Sequence, residues 1–388
     1  MSDIDIPLSS PYIDDDDRRV VNDVLNGRTL SIGPWVERFE GLLAKTSGRA
    51  YAAAVSSGTS ALHLIVRALG WGGGDEVITT PFSFVASANC LIYENVRPVF
   101  VDIDPVTRCI DPAAIEQAIT PRTVGILSVD VFGYPADWAA IEGIARKHSL
   151  AHVSDSCESL GTVRRDNGRD IPAGKSGVAG AFAFYPNKQI TTGEGGAVVT
   201  DDERVARLCR SMRNQGRDEG AGWLQHARLG YNYRLSEMNC ALGFTQVSRL
   251  DEIKRLRSAV AARYLQLLEP LREWIEPPPT DPAVDLSWFV FVVSLREQFT
   301  AEDRNDILAR LRARGIGCSN YFSPIHLQPY IQEHLGTARG DYPVTERIAG
   351  RTIALPFYTA LTAADQEHVV RELTALLTRP LAAGSGTR

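Results

Sequence analysis

The chain has no basic block, no long apolar run and no paired cysteines, and each absence removes a class of function. Its six cysteines (Cys90, Cys109, Cys157, Cys209, Cys240, Cys318) are scattered without a Cys-x-x-Cys pair, so neither a zinc ribbon nor a disulfide framework is indicated and no metal site is expected. A net charge of −6 without a dominant basic stretch lacks the electrostatic footprint of a nucleic-acid binder. No apolar run approaches the roughly 18 residues that span a bilayer, and Met1 to Ile6 carry neither a basic nor an apolar leader region. A cytoplasmic protein with no membrane or nucleic-acid partner is the expectation.

What is present is the composition of an ordinary globular protein: 44% hydrophobic, 23% charged, 32 Gly and 21 Pro in 388 residues. That length exceeds what one core usually organises, which suggests a large domain and a smaller one. From Tyr51 to Thr200 short apolar runs alternate with helical stretches, the pattern of an α/β fold with a mainly parallel sheet covered by helices. The strand candidates are Ala52–Val55, Glu76–Thr79, Pro98–Asp102, Val124–Val129, Ala151–Ser154, Gly180–Phe184 and Ala197–Thr200. Between Leu235 and Leu268 apolar residues recur at helical spacing, which predicts one long helix leaving the large domain. The expected division is residues 1–250, an N-terminal arm and large domain, and 251–388, a small C-terminal α+β domain with a strand at Trp288–Val293 and helices at Asp303–Arg314 and Ala364–Leu377. Asp14–Asp17 supply negative charge to a helix N-terminus, and the small residues 382–388 suit a disordered tail.

Three segments carry possible chemistry. Ser57-Gly58-Thr59-Ser60 follows a strand and opens a helix, where free amides and the helix dipole favour an anion, although Ser and Thr are equally good N-caps. Asp155 closes a strand, the end at which open α/β sheets place ligand contacts; a carboxylate there can keep a pyridine nitrogen protonated, or simply cap a helix. Lys188 sits between a strand and the glycine-rich return Gly193-Glu194-Gly195-Gly196. A lysine in such a turn loses its proton readily and attacks an aldehyde, whereas most single lysines are solvated.

Taken in order, Ser57-Gly-Thr-Ser-Ala-Leu, the run from Gly74 through Thr80-Pro-Phe-Ser-Phe84 to Asn89, Val99-Phe-Val-Asp-Ile-Asp, Asp155-Ser-Cys-Glu158-Ser-Leu-Gly, Phe184-Tyr-Pro-Asn-Lys188, Gly230-Tyr-Asn-Tyr-Arg-Leu-Ser-Glu and Tyr321-Phe-Ser-Pro-Ile-His-Leu-Gln-Pro resemble the DegT/StrS family of sugar aminotransferases. The resemblance covers nearly the whole chain. It implies the aspartate-aminotransferase-like fold (fold type I), pyridoxal 5'-phosphate (PLP) as cofactor, and a homodimer with shared active sites. Lys188 would then form the Schiff base, Asp155 would pair with the ring nitrogen and Phe84 would stack on the ring. Gly58 and Thr59 would hold the phosphate, with Ser57 as a further hydroxyl, because a Ser found in many relatives five residues before the lysine is Ala183 here. Glu158 falls beside the cofactor's 3-hydroxyl, where many members have Gln. Asn232 and Arg234 sit where the family sends a loop into the neighbouring subunit. Lys188 also argues against the dehydratase branch, which carries His at that position.

The same resemblance implies an amino-acid donor, L-glutamate by family habit, and a keto-sugar acceptor. The tract Asn187-Lys188-Gln-Ile-Thr-Thr-Gly is similar to that of perosamine-type synthases, which favours a nucleotide-linked 4-keto-6-deoxy sugar. A cyclitol ketone of the scyllo-inosose type, and a PLP-binding regulatory protein without turnover, remain the alternatives. Tyr321 and His326 are candidate contacts to the sugar or its carrier, although a His between Ile325 and Leu327 suits a packed side chain equally well. Trp223 and His226 are weaker candidates.

Overall fold

The computed structural model describes residues 5–220, 222 and 224–378; the 382–388 tail and Trp223 lie outside them. The sheet strands in chain order are β1 (Tyr51–Val55), β2 (Glu76–Thr79), β3 (Arg97–Phe100), β4 (Thr123–Val129), β5 (Ala151–Asp155), β6 (Val163–Asp166), β7 (Arg169–Pro172), β8 (Ala179–Ala183), β9 (Gly196–Thr200), β10 (Ile275–Glu276), β11 (Val284–Asp285), β12 (Phe291–Leu295) and β13 (Thr352–Leu355). Seven of them form one sheet in the order β1-β9-β8-β5-β4-β2-β3. Only β9 runs against its neighbours; the other pairings are parallel. All seven strand candidates of the Tyr51–Thr200 region are present, because near-continuous apolar runs suit strands covered on both faces. Gly125 shows how tight that cover is: a Cβ there would stand 2.4 Å from the Trp71 ring.

The helices are α1 (Asp15–Asn26), α2 (Pro34–Thr46), α3 (Gly58–Leu69), α4 (Ala86–Ile92), α5 (Pro112–Ala118), α6 (Trp138–His148), α7 (Glu203–Arg213), α8 (Glu237–Ser248), α9 (Leu250–Leu268), α10 (Ala301–Ala313), α11 (Pro329–Leu335), α12 (Pro343–Ala349) and α13 (Ala363–Leu377). The expected single helix over 235–268 is two helices, broken at Arg249 (φ −105°, ψ 14°). Its guanidinium pairs with Asp14 at 2.9 Å and Asp17 at 2.5 Å. Asp14 does cap α1, but Asp17 is buried and also accepts from Gln246, so this acidic run ties α1 to α8 as well as supplying charge.

A second core surrounds β10-β12-β13, and Ile6 belongs to it. The Ile6 amide donates to the Gly315 carbonyl, and the Gly317 and Phe357 amides donate to the carbonyls of Ile6 and Leu8, which holds the N-terminal segment there. The β12 strand begins at Phe291 rather than at Trp288, because buried Arg257 takes the carbonyls of Trp288 and Phe289, each at 2.6 Å. The short hairpin β6–β7, extended by β11, forms a third sheet.

Candidate active site

Beyond β8 the chain turns through residues 184–195 before entering β9. The turn closes on its own backbone: Phe184 N donates to Gly195 O, Thr192 N to Phe184 O and Lys188 N to Tyr185 O, at 2.9, 3.0 and 2.9 Å. Gly193 adopts φ +80°, and a Cβ on Gly195 would stand 2.2 Å from Thr192 Oγ1, so glycine is required at this return. Gln189 Nε2 donates to the carbonyls of Glu158 and Ser287, at 2.6 and 2.9 Å. Lys188 is thereby mounted on a fixed turn beside the end of β5.

The Lys188 side chain is 13% exposed, with Nζ 3.4 Å from Glu158 Oε1. On another side Nζ lies 4.0 Å from the centre of the Phe289 ring, an attraction for the ammonium form. Glu158 Oε2 accepts the Phe132 amide at 2.8 Å. Burial pushes the Glu158 carboxyl above its ordinary range, against the pull of Lys188 and the Phe132 amide. Tyr321 closes the same space: Asn187 Nδ2 donates to its hydroxyl at 3.5 Å, and burial together with the Glu158 carboxylate raises the phenol. Asn187 Oδ1 is buried with no hydrogen-bond partner among the described residues.

Asp155 ends β5, 5% exposed. Ser87 Oγ donates to its Oδ2 at 2.7 Å and the Cys157 amide to its Oδ1 at 3.2 Å; among the described residues no cation pairs with it. Burial and this carboxylate push the Cys157 thiol well up, while Lys188 acts the other way. Asp155, Glu158 and Lys188 therefore share one neighbourhood around Cys157.

The first turn of α3 lies alongside. A Cβ on Gly58 would stand 2.7 Å from Ala183 Cβ and 2.8 Å from Cys157 Sγ, and one on Gly196 would strike the Ser57 carbonyl at 2.4 Å. Backbone thus approaches as closely as it can. The amides of Gly58 and Thr59 are the orphan donors of the helix start, and the Thr59 hydroxyl has no hydrogen-bond partner among the described residues. Ser57 Oγ, by contrast, caps α3 by accepting the Ser60 amide at 3.0 Å. A primary amine, a buried carboxylate without a cation and a glycine-shaped anion cup fit an aldehyde-bearing pyridine with a phosphate arm. Lys188, Asp155, Gly58 and Thr59 would hold that group, with Glu158 at its rim.

Other sequence candidates fall elsewhere. Phe84 stands just before α4 and is 61% exposed. Asn232 is exposed, and Arg234 donates to Asn214 at 3.0 Å beside a cleft of about 860 Å³ between α2, β1 and α7. Among the described residues, no hydrogen bond or ion pair joins either residue to Lys188, Asp155 or Glu158. Their loop is pinned by its tyrosines, Tyr231 on Glu94 at 3.1 Å and Tyr233 on His63 at 3.2 Å. His326 is fully buried, 3.0 Å from Glu346 and edge-on to Tyr342, so the packed alternative describes it and no face is open to a sugar. His226 lies on the surface, bonded to the Gln215 carbonyl.

Two residues that touch these groups carried no sequence signal. Phe289 reads as part of a strand, and only tertiary packing against the large-domain core brings its ring over Lys188. Ser87 lies within the quoted Gly74–Asn89 run but has no motif that ties it to Asp155.

The profile of the DegT/DnrJ/EryC1/StrS aminotransferase family matches residues 11–374. The spore coat polysaccharide biosynthesis protein SpsC of Bacillus subtilis (strain 168) is 33% identical over 375 residues, covering 94% of this chain and 95% of that protein. The structure of Helicobacter pylori PseC, an aminotransferase involved in the biosynthesis of pseudoaminic acid, superposes with a TM-score of 0.89 at 29% identity, over 96% of this chain and 99% of that one. NtdA of Bacillus subtilis with bound cofactor PMP gives a TM-score of 0.84 at 30% identity, over 95% and 83%.

Proposed function

This chain belongs to the DegT/DnrJ/EryC1/StrS aminotransferase family, and from that premise we propose which residues carry its chemistry and what it aminates. It is a PLP-dependent sugar aminotransferase. When bound, the cofactor supplies the carbon that takes up an amino group and a protonated ring that spreads the charge left by a departing proton.

Lys188 holds the cofactor through Nζ and, displaced by the amino donor, uses the same Nζ to take a proton from one carbon and return it to another. Asp155 holds the proton on the ring nitrogen, and with no competing cation among the described residues its charge is available for that. Gly58, Thr59 and the dipole of α3 bind the phosphate. Phe84 covers the ring, Glu158 contacts its hydroxyl edge, and Asn232 and Arg234 complete the site of a second subunit in a homodimer. The observation that carries this reading is the largely enclosed Lys188 amine between Glu158 and Phe289, next to a buried carboxylate and the cup at Gly58.

L-Glutamate is the proposed donor and a nucleotide-linked 4-keto-6-deoxy sugar the proposed acceptor. The aromatic face beside Lys188 supports a deoxy acceptor: the Phe289 ring next to Nζ stacks on Tyr321, a surface better matched to a methyl group than to a hydroxyl. The test compares turnover, with mass detection, of such a sugar nucleotide, its 3-keto isomer and scyllo-inosose with L-glutamate at equal concentrations. Amination of the 4-keto sugar nucleotide is expected. A free cyclitol aminated about tenfold faster, a difference of ~1.4 kcal/mol, overturns the acceptor, and cofactor binding without amination of any ketone overturns turnover itself.

A further inference from the structure

Two serines four residues apart, Ser83 and Ser87, flank the start of α4, and both are buried, at 4% and 1% exposure. Ser87 Oγ lies 2.7 Å from Asp155 Oδ2, 2.9 Å from Ser83 Oγ and 3.3 Å from the Phe84 carbonyl. A hydroxyl has a single hydrogen to give. An ionised carboxylate is the strongest acceptor of the three and the nearest, so Ser87 donates to Asp155. Ser83 must then donate to Ser87, which gives a directed chain from Ser83 through Ser87 to Asp155 Oδ2. On its other oxygen Asp155 has, among the described residues, only the Cys157 amide at 3.2 Å. The terminal torsion of an aspartate is soft, so this bond alone would leave the carboxylate free to rotate. The same turn presents Phe84, whose backbone lies one residue from Ser83.

We propose that Ser87, supported by Ser83, is a positioning residue for the cofactor ring: its hydroxyl fixes the plane of the Asp155 carboxylate, and its turn sets Phe84 against the same ring. The inference rests on Asp155 being the partner of the ring nitrogen. It predicts that Ser87 acts through Asp155 and not on the fold at large.

The experiment is a double-mutant cycle on the holoenzyme with Ser87→Ala, Asp155→Asn and their combination, and with Ser87→Thr and Ser83→Ala beside it. The readouts are the rate of the half-reaction with L-glutamate, the position of the cofactor absorption band and the dissociation constant for the cofactor. Ser87→Ala is expected to slow the half-reaction roughly tenfold or more, the scale of a hydrogen bond to a charged group, and to move the band toward that of Asp155→Asn. Ser87→Thr restores most of the rate, and Ser83→Ala costs less than Ser87→Ala. In the Asp155→Asn background Ser87→Ala has little further effect, because the two act as a unit. Should Ser87→Ala fail to fold, the threonine rescue is lost as evidence but Ser83→Ala still decides, since a rate and band unchanged by it break the chain at its first link. An unchanged rate in Ser87→Ala, or the same loss in both backgrounds, overturns the proposal while Asp155 keeps its role. A half-reaction little affected by Asp155→Asn overturns the role of Asp155 and this inference with it.

Discussion

Gly58 offers a perturbation whose size can be worked from the packing. An alanine there puts a methyl group 2.7 Å from Ala183 Cβ and 2.8 Å from Cys157 Sγ, whereas carbon atoms settle at about 3.5–4.0 Å. The overlap is roughly 1 Å on two sides. Neither neighbour can swing away, because both side chains are short, Ala183 is held in register opposite Gly196 and Cys157 lies two residues beyond the Asp155 strand end, its amide bonded to the Asp155 carboxylate. The first turn of α3 must therefore move out, carrying the Gly58 and Thr59 amides and the Thr59 hydroxyl with it. Overpacking of this kind costs about 1–3 kcal/mol. If that strain is expressed in the anion cup, the dissociation constant for PLP rises by roughly fivefold to 150-fold. Fluorescence titration of the apoprotein measures it, with a thermal melt to confirm folding. Adding Ala183→Gly removes one of the two contacts and should recover part of the affinity. A folded Gly58→Ala protein that binds PLP as tightly as the parent would refute the placement of the phosphate.

Two further outcomes follow from other contacts. Inactive Lys188→Ala mixed with inactive Asn232→Ala should regain partial activity after subunit exchange, since some heterodimers contain one intact site; no recovery after verified exchange means that Asn232 acts within its own chain. Asp201 tests acid stability: burial pushes its carboxyl up, but Lys175, the Ala50 amide and Arg49 outweigh this and hold it at about 2. Its folded value lies below an unfolded value of about 3.9, so the stabilisation is present above that pH and is lost as pH falls toward 2. Asp201→Asn should accordingly lower Tm at neutral pH and converge with the parent in acid, and a constant difference across pH would contradict the pairing.

How much was legible in the sequence follows the range of the interactions. The buried strands between Tyr51 and Thr200 announce themselves locally, as apolar runs bounded by turns. The hairpin at 163–172 does not, because Val163-Arg-Arg-Asp and Arg169-Asp-Ile-Pro are mostly polar and half exposed. The break at Arg249 carries neither Gly nor Pro and depends on partners at Asp14 and Asp17, far away in sequence. In the site, Lys188, Asp155 and the turn at Gly58 stand out because each sits at a strand end with distinctive neighbours. What surrounds them does not: Phe289 reaches Lys188 by packing into the large-domain core from beyond α9, Ser87 reaches Asp155 from the helix after β2 with β4 lying between β2 and β5, and His326 is packed against Glu346 and Tyr342. Local pattern locates the reactive groups, and tertiary packing decides which side chains orient them.

The central claim is that Lys188 is the residue that holds the cofactor and moves the proton. Its most direct measurement is borohydride reduction of the PLP-loaded protein followed by peptide mapping, run in parallel on Lys188→Ala. The account predicts the reduced cofactor on the peptide containing Lys188, and a folded variant with no covalent cofactor and no transamination. Cofactor trapped on a different lysine, or undiminished transamination by Lys188→Ala, would contradict it.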